Sequence, residues 1–101
     1  MTAIFIVRAE VDPEAREAFD AWYETEHLPD AVAALGASRA ARGWSDVEEN
    51  VHIAFYEFPD LAAVRRMMAS DALKGMIAEF SRHWDGKVTR TRDTVELIQK
   101  I

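Results

Sequence analysis

Trp22-Tyr23-Glu24-Thr25-Glu26-His27-Leu28-Pro29 concentrates more usable chemistry than any other stretch of this chain: two aromatics, two carboxylates and an imidazole stand directly before a proline. Upstream, Asp12-Pro13-Glu14 opens a helix well, with Asp12 as N-cap, Pro13 at the first helical position and Glu14 favoured by the helix dipole. Pro29 interrupts that helix, because proline has no N–H and disfavours the α region in the residue before it. The reading therefore predicts an extended Leu28, a second short helix starting at Pro29-Asp30, and an end near Gly36. His27 then lies at a helix break. Ala15, Phe19, Trp22, Glu26 and Pro29 follow the three-or-four spacing of one helix face, with Tyr23 and His27, four apart, forming a strip beside it.

Outward from this stretch the element order is β-α-β-β-α-β. Ala3 to Val11 is rich in strand formers, and both of its faces carry apolar side chains, Ile4 and Ile6 on one and Phe5 and Val7 on the other, as expected of a central strand. Ser38 to Trp44 and Val51 to Phe58 read as a hairpin joined by the polar loop Ser45-Asp46-Val47-Glu48-Glu49-Asn50. Asp60 caps a short helix with Leu61, Val64 and Met68 facing inward; Ser70 caps a longer one bearing Leu73, Met76, Ile77 and Phe80. Trp84-Asp85-Gly86 ends that helix, and Lys87 to Ile101 reads as extended, with Lys87, Arg90 and Arg92 beside Asp93 and Glu96 forming a solvated, salt-bridged strand.

The run Trp22-Tyr23-x-x-Glu26-His27-Leu28-Pro29, followed by Gly36 and Ala40-x-Arg42, resembles a motif of small dimeric α/β-barrel proteins related to the EthD family. Leu35-Gly36 stands where such proteins often carry Pro-Gly, and Gly43-Trp44 where an aromatic often follows the arginine directly. The resemblance implies an α+β, ferredoxin-like fold over residues 1–101 with a four-stranded antiparallel sheet, two such sheets packing face to face into a barrel. The residues point the same way. Val51, Ile53 and Phe55 oppose Ala54, Tyr56 and Phe58 along the third strand, so a sheet covered by helices on one side would leave an apolar second face. A homodimer would bury it, with the long last strand as an arm reaching the partner.

A chain of 101 residues, half of them apolar and ten aromatic, is sized for one domain with a real core. Arg8 and Glu10 interrupt the first apolar run, so neither a signal peptide nor a membrane span is expected, and the cytoplasm is the default location. No cysteine is present, which excludes disulfides, thiol catalysis and thiolate metal sites. A net charge of −6 argues against nucleic acid as a partner. Three dispersed histidines show no metal-ligand spacing, and no phosphate loop, nucleophile elbow or dinucleotide motif occurs. His83 at a helix end invites comparison with haem-binding relatives of the barrel, yet a cation there is favourable without haem. No cofactor is expected.

The candidate catalytic residues are His27, Tyr23, Glu26 and Arg42. His27 titrates near neutral pH, and Tyr23 and Glu26 are close enough in sequence to orient it; the competing role is capping or packing at the break. Arg42 shares a strand face with Trp44, and on a barrel interior such a cation would hold a carboxylate, enolate or phenolate; alternatively it pairs with a surface acid. Trp22, Trp44, His52 and Tyr56 are candidate substrate contacts. His52 and Tyr56 share a face about 13 Å apart by strand rise. Ala54 between them leaves room for a ligand or for a large side chain from a helix. Three functions fit: a cofactor-independent enzyme (isomerase, dehydratase or monooxygenase-like) acting on an apolar or aromatic metabolite, a non-catalytic binder of such a molecule, and an accessory dimer.

Overall fold

A four-stranded antiparallel sheet with helices on one face carries the molecule, and the computed structural model describes residues 1–101. The strands are β1 (Ala3–Val11), β2 (Arg39–Trp44), β3 (Val51–Phe58) and β4 (Val88–Glu96), in spatial order β2-β3-β1-β4. The helices are α1 (Arg16–Trp22), α2 (Leu28–Leu35), α3 (Leu61–Met68) and α4 (Asp71–Trp84). This is the ferredoxin-like βαββαβ arrangement expected from the sequence. Its caps follow the residues: Asp12 accepts from the Glu14 N–H, Asp60 from Ala63 and Ser70 from Leu73, while Gly36 closes α2 in the left-handed region at φ 72°.

Pro29 does not break the helix. Leu28 is helical, with φ −64° and ψ −48°, and Tyr23–His27 form a π turn that joins α1 to α2, the Leu28 N–H bonding to the Tyr23 carbonyl five residues back. The wider turn carries the helix through a residue without an N–H. Thr25 assists, its hydroxyl donating to the Ala21 carbonyl at 2.9 Å. The π turn also sets which side is buried. Ala15, Phe19, Tyr23, His27 and Ala31 line the core at strict four-residue intervals, whereas Glu26 and Pro29 are exposed. At 3.6 residues per turn such a series drifts by about 40° a step; one π turn winds it back.

Two further expectations are corrected. On α3 it is Met67, not Met68, that is buried beside Val64. The last strand ends at Glu96, short of Ile101, and the tail runs on beside the start of β1: the Leu97 N–H donates to the Thr2 carbonyl one rung beyond the Ala3–Glu96 pair, and Lys100 reaches Thr2 Oγ1 at 3.1 Å and Glu57 at 3.6 Å.

Register assigns the two sheet faces. Phe5 lies opposite Tyr56 on β3 and Thr94 on β4, and Ile6 lies opposite Phe55 and Asp93. Ala3, Phe5, Val7, Ala9, Val11, Ala54, Tyr56 and Phe58 pack under the helices in one core with Phe19, Val64 and Phe80. Ile4, Ile6, Ile53, Phe55 and Val95 lie on the other face, where Phe55 is 41% and Val95 39% exposed. No helix is long and apolar enough to cross a membrane.

Candidate functional site

The β2 register pairs Arg42 with Ala54 and Trp44 with His52, so both side chains share the helix-covered face with Tyr56 instead of lining a space between two sheets. The expectation of a barrel-interior Arg42 is thereby corrected. His52, Ala54 and Tyr56 point up into the helices, and the room over Ala54 is taken by Tyr23. Its ring lies 4.4 Å from His52, and its hydroxyl is 2.9 Å from the Tyr56 hydroxyl. Burial pushes the Tyr23 hydroxyl well above its ordinary pKa, and that of Tyr56 also upward. Both remain protonated phenols, one donating to the other.

His27 is held by aromatic faces. It stacks on Trp22 with centroids 4.6 Å apart and planes 20° apart, meets the Tyr23 ring at 4.7 Å and turns toward Phe80 at 5.6 Å. Only 6% of the residue is exposed. Burial, then the Arg90 charge, then His52 and His83 push its pKa down to about 4, so the imidazole is neutral near pH 7. Glu26, on the solvent side of the π turn, does not orient it.

Tyr23, His27 and Tyr56 line one small cavity between the sheet, α2 and α4. Phe5, Val7, Ala31, Leu35, Leu73, Met76, Ile77, Arg90 and Arg92 complete its wall. The volume is about 20 Å³, room for one water molecule. Arg90 is the residue that the sequence reading misplaced. It is half-buried with its guanidinium carbon 3.5 Å from the Phe80 ring centroid, and burial first, then Arg92, pushes its pKa down to about 10. The alternation of Val88, Arg90 and Arg92 on one face of β4 was the available signal; what hid it was the density of charge along that strand.

Arg42 belongs to a second polar cluster. It donates to Asp20 Oδ1 at 2.8 Å and stands 3.3 Å from His52 Nε2, while Trp44 Nε1 donates to the same Asp20 oxygen at 2.9 Å. Those hydrogen bonds, Trp44's first and then Arg42's, hold the Asp20 carboxyl below its ordinary pKa. Burial, then Arg42, push His52 down to about 4. Arg16 covers the Trp44 ring at 4.1 Å. Of the sequence-derived candidates, therefore, Tyr23, His27 and Tyr56 meet at the cavity. Trp22 and His52 back them, Arg42 and Trp44 form a separate cluster, and Glu26 faces solvent. His83 pairs with Glu79 at 2.9 Å on the surface of α4. No three His, Asp or Glu side chains converge as a metal site.

No protein-family model matches the sequence, and no curated protein does. Solved structures match over nearly the whole chain. SnoaB, a cofactor-independent oxygenase from Streptomyces nogalater, superposes with a TM-score of 0.72 at 16% identity, covering 99% of this chain and 96% of the other. An EthD family protein from Bacillus halodurans gives 0.70 at 17% identity, over 94% and 99% of the two chains. HapK from Hahella chejuensis gives 0.71 at 16% identity, over 99% and 95%. At such identities the likeness is one of fold: the ferredoxin-like sheet with its helices is shared with these structures, among them a protein of the EthD family.

Proposed function

We propose that the chain is a small-molecule pocket protein whose cavity takes an apolar or aromatic metabolite, and that His27 exchanges a proton with it in a reaction needing no cofactor. The reaction would be of the isomerase, dehydratase or monooxygenase-like kind. The observation that carries this reading is the meeting of His27 and Tyr23, from one π turn, with Tyr56 of β3 on a single apolar-walled cavity. Single π turns inside helices are frequent at functional sites. A neutral imidazole is ready to accept a proton. With a pKa of about 4 it holds that proton only while a neighbouring negative charge compensates it, as a deprotonated substrate would. The likeness in fold to a cofactor-independent oxygenase supports a reaction of this class.

A non-catalytic binding or accessory role is the second reading, favoured by the water-sized cavity. Either way we propose a homodimer joined through the Ile4, Ile6, Ile53 and Phe55 face, since a bare patch of this kind is uncommon on monomers. The test is a screen of small aromatics against the wild type, observed by NMR at the His27 and Tyr23 rings and by turnover. His27→Phe, which keeps the stack on Trp22 and removes both nitrogens, should retain the fold and abolish turnover. Turnover unchanged in that variant would overturn the catalytic role, and ring signals unmoved by every aromatic would overturn the pocket.

A further inference from the structure

The cavity wall carries two arginines, Arg90 and Arg92, and no aspartate or glutamate, in a chain whose net charge is −6. The ion pairs of the fold form elsewhere, around Arg8, Arg42, Lys74, Arg82, His83 and Lys100. Arg90 is thus half-buried against Phe80 without a counterion. Withdrawing a cation from water is unfavourable unless something compensates it, and one aromatic face compensates only in part. A guanidinium on the wall of a largely apolar cavity is suited to a carboxylate-like oxygen, which restores both the charge balance and the hydrogen bonds.

We propose, building on the small-molecule reading above, that the ligand is an aromatic molecule bearing an acidic oxygen, bound as the anion with that oxygen on the Arg90 guanidinium. Two other groups on the wall fit an anion. In the Tyr23–Tyr56 pair one hydroxyl proton is used between the two oxygens, 2.9 Å apart, and the other is free to donate. Neutral His27 keeps one N–H to donate and places no competing negative charge nearby. Burial also weakens the preference of Arg90 for its charged form, a loss that a bound anion reverses. Entry requires space beyond about 20 Å³, and half-buried Met76, with its unbranched and flexible side chain, is the part of the wall best able to yield.

The experiment compares two probes of equal size, 2-naphthoate and 2-naphthamide, titrated into the full chain with NMR observation of the Arg90 Nε–H and the His27 and Tyr23 rings. The naphthoate should move all three signals and bind at least about tenfold more tightly than the amide. Arg90→Gln should erase that preference, and Arg90→Lys should keep part of it. Equal binding of acid and amide, with His27 and Tyr23 still responding, would overturn the anion and leave the pocket standing. If neither probe moves these signals, the pocket falls and the anion proposal with it. Should Arg90→Gln fail to fold, the comparison of acid with amide on the wild type decides alone.

Discussion

Tyr23 and His27 stand at the two ends of one π turn and present their rings edge to face, 4.7 Å apart, to the same cavity. In an uninterrupted α-helix the four-residue step would rotate the second ring by about 40° from the first. The π turn removes most of that rotation. A local irregularity of the backbone therefore determines whether a phenol and an imidazole line one cavity.

Pro29→Ala tests this relationship. Alanine restores an N–H able to bond four residues back and so favours closing the turn to an α pitch. Stability should not fall, since within a helix that continues from α1 to α2 alanine is the better former and proline lacks a donor. His27 should move away from the Trp22 face on which it now stacks at 4.6 Å. NMR will report that as loss of ring-current shielding at the imidazole protons. Unchanged shifts would mean that tertiary packing, not proline, maintains the turn.

Arg42→Ala should act mainly on stability. The variant leaves Asp20 with only its Trp44 bond and His52 without its polar neighbour, at a cost of about 1–3 kcal/mol in urea unfolding. Aromatic ligands should bind nearly as before, because Arg42 is not on the cavity wall. A large loss of binding at unchanged stability would return Arg42 to the site.

Acid should destabilise the fold through His27 and His52. Each has a pKa of about 4 in the folded chain against an ordinary 6.5. Between those values the unfolded chain binds protons that the native state does not. Stability is therefore complete above about pH 6.5, falls as pH drops toward 4, and is lost by an amount on the order of 3 kcal/mol per histidine. Around His27 the charged neighbours are Arg90, His52 and His83; around His52 they are Arg42 and Asp20, the last opposing the shift. Urea midpoints across this range should show the slope, and His27→Phe should remove about half of it. A flat profile would contradict the burial of both rings.

Sedimentation at micromolar concentration should give a species of about 23 kDa, twice the 11.4 kDa chain. Ile6→Glu should convert it to monomer, because the new charge would be buried unpaired against the partner sheet. Ile6 is the suitable position: its neighbours across the sheet, Phe55 and Asp93, share the open face, whereas Phe5 belongs to the core. A wild-type monomer would remove the barrel.

Helix capping was legible in the sequence. Asp12, Asp60, Ser70 and Gly36 act within a few residues of themselves, so their capping roles needed no partner. The alternation of apolar residues in β1 and β3 likewise specified a sheet apolar on both faces, one of them under the helices, and with the element order it determined a ferredoxin-like sheet. The four-residue series Phe19, Tyr23, His27 and Ala31 was also present, but the proline rule, which describes an α-helix, masked it. What the tertiary structure decided was pairing across the chain. Arg42 met Asp20 because β2 lies at the sheet edge beside β3 and faces α1. Arg90, in a strand that reads as solvated, was carried under Phe80 because β4 pairs with β1 in a register that turns its even-numbered residues toward the helices. Periodicity fixes which residues share a face; which face is covered, and by which charge, depends on contacts between segments far apart in sequence, and only the assembled fold contains them.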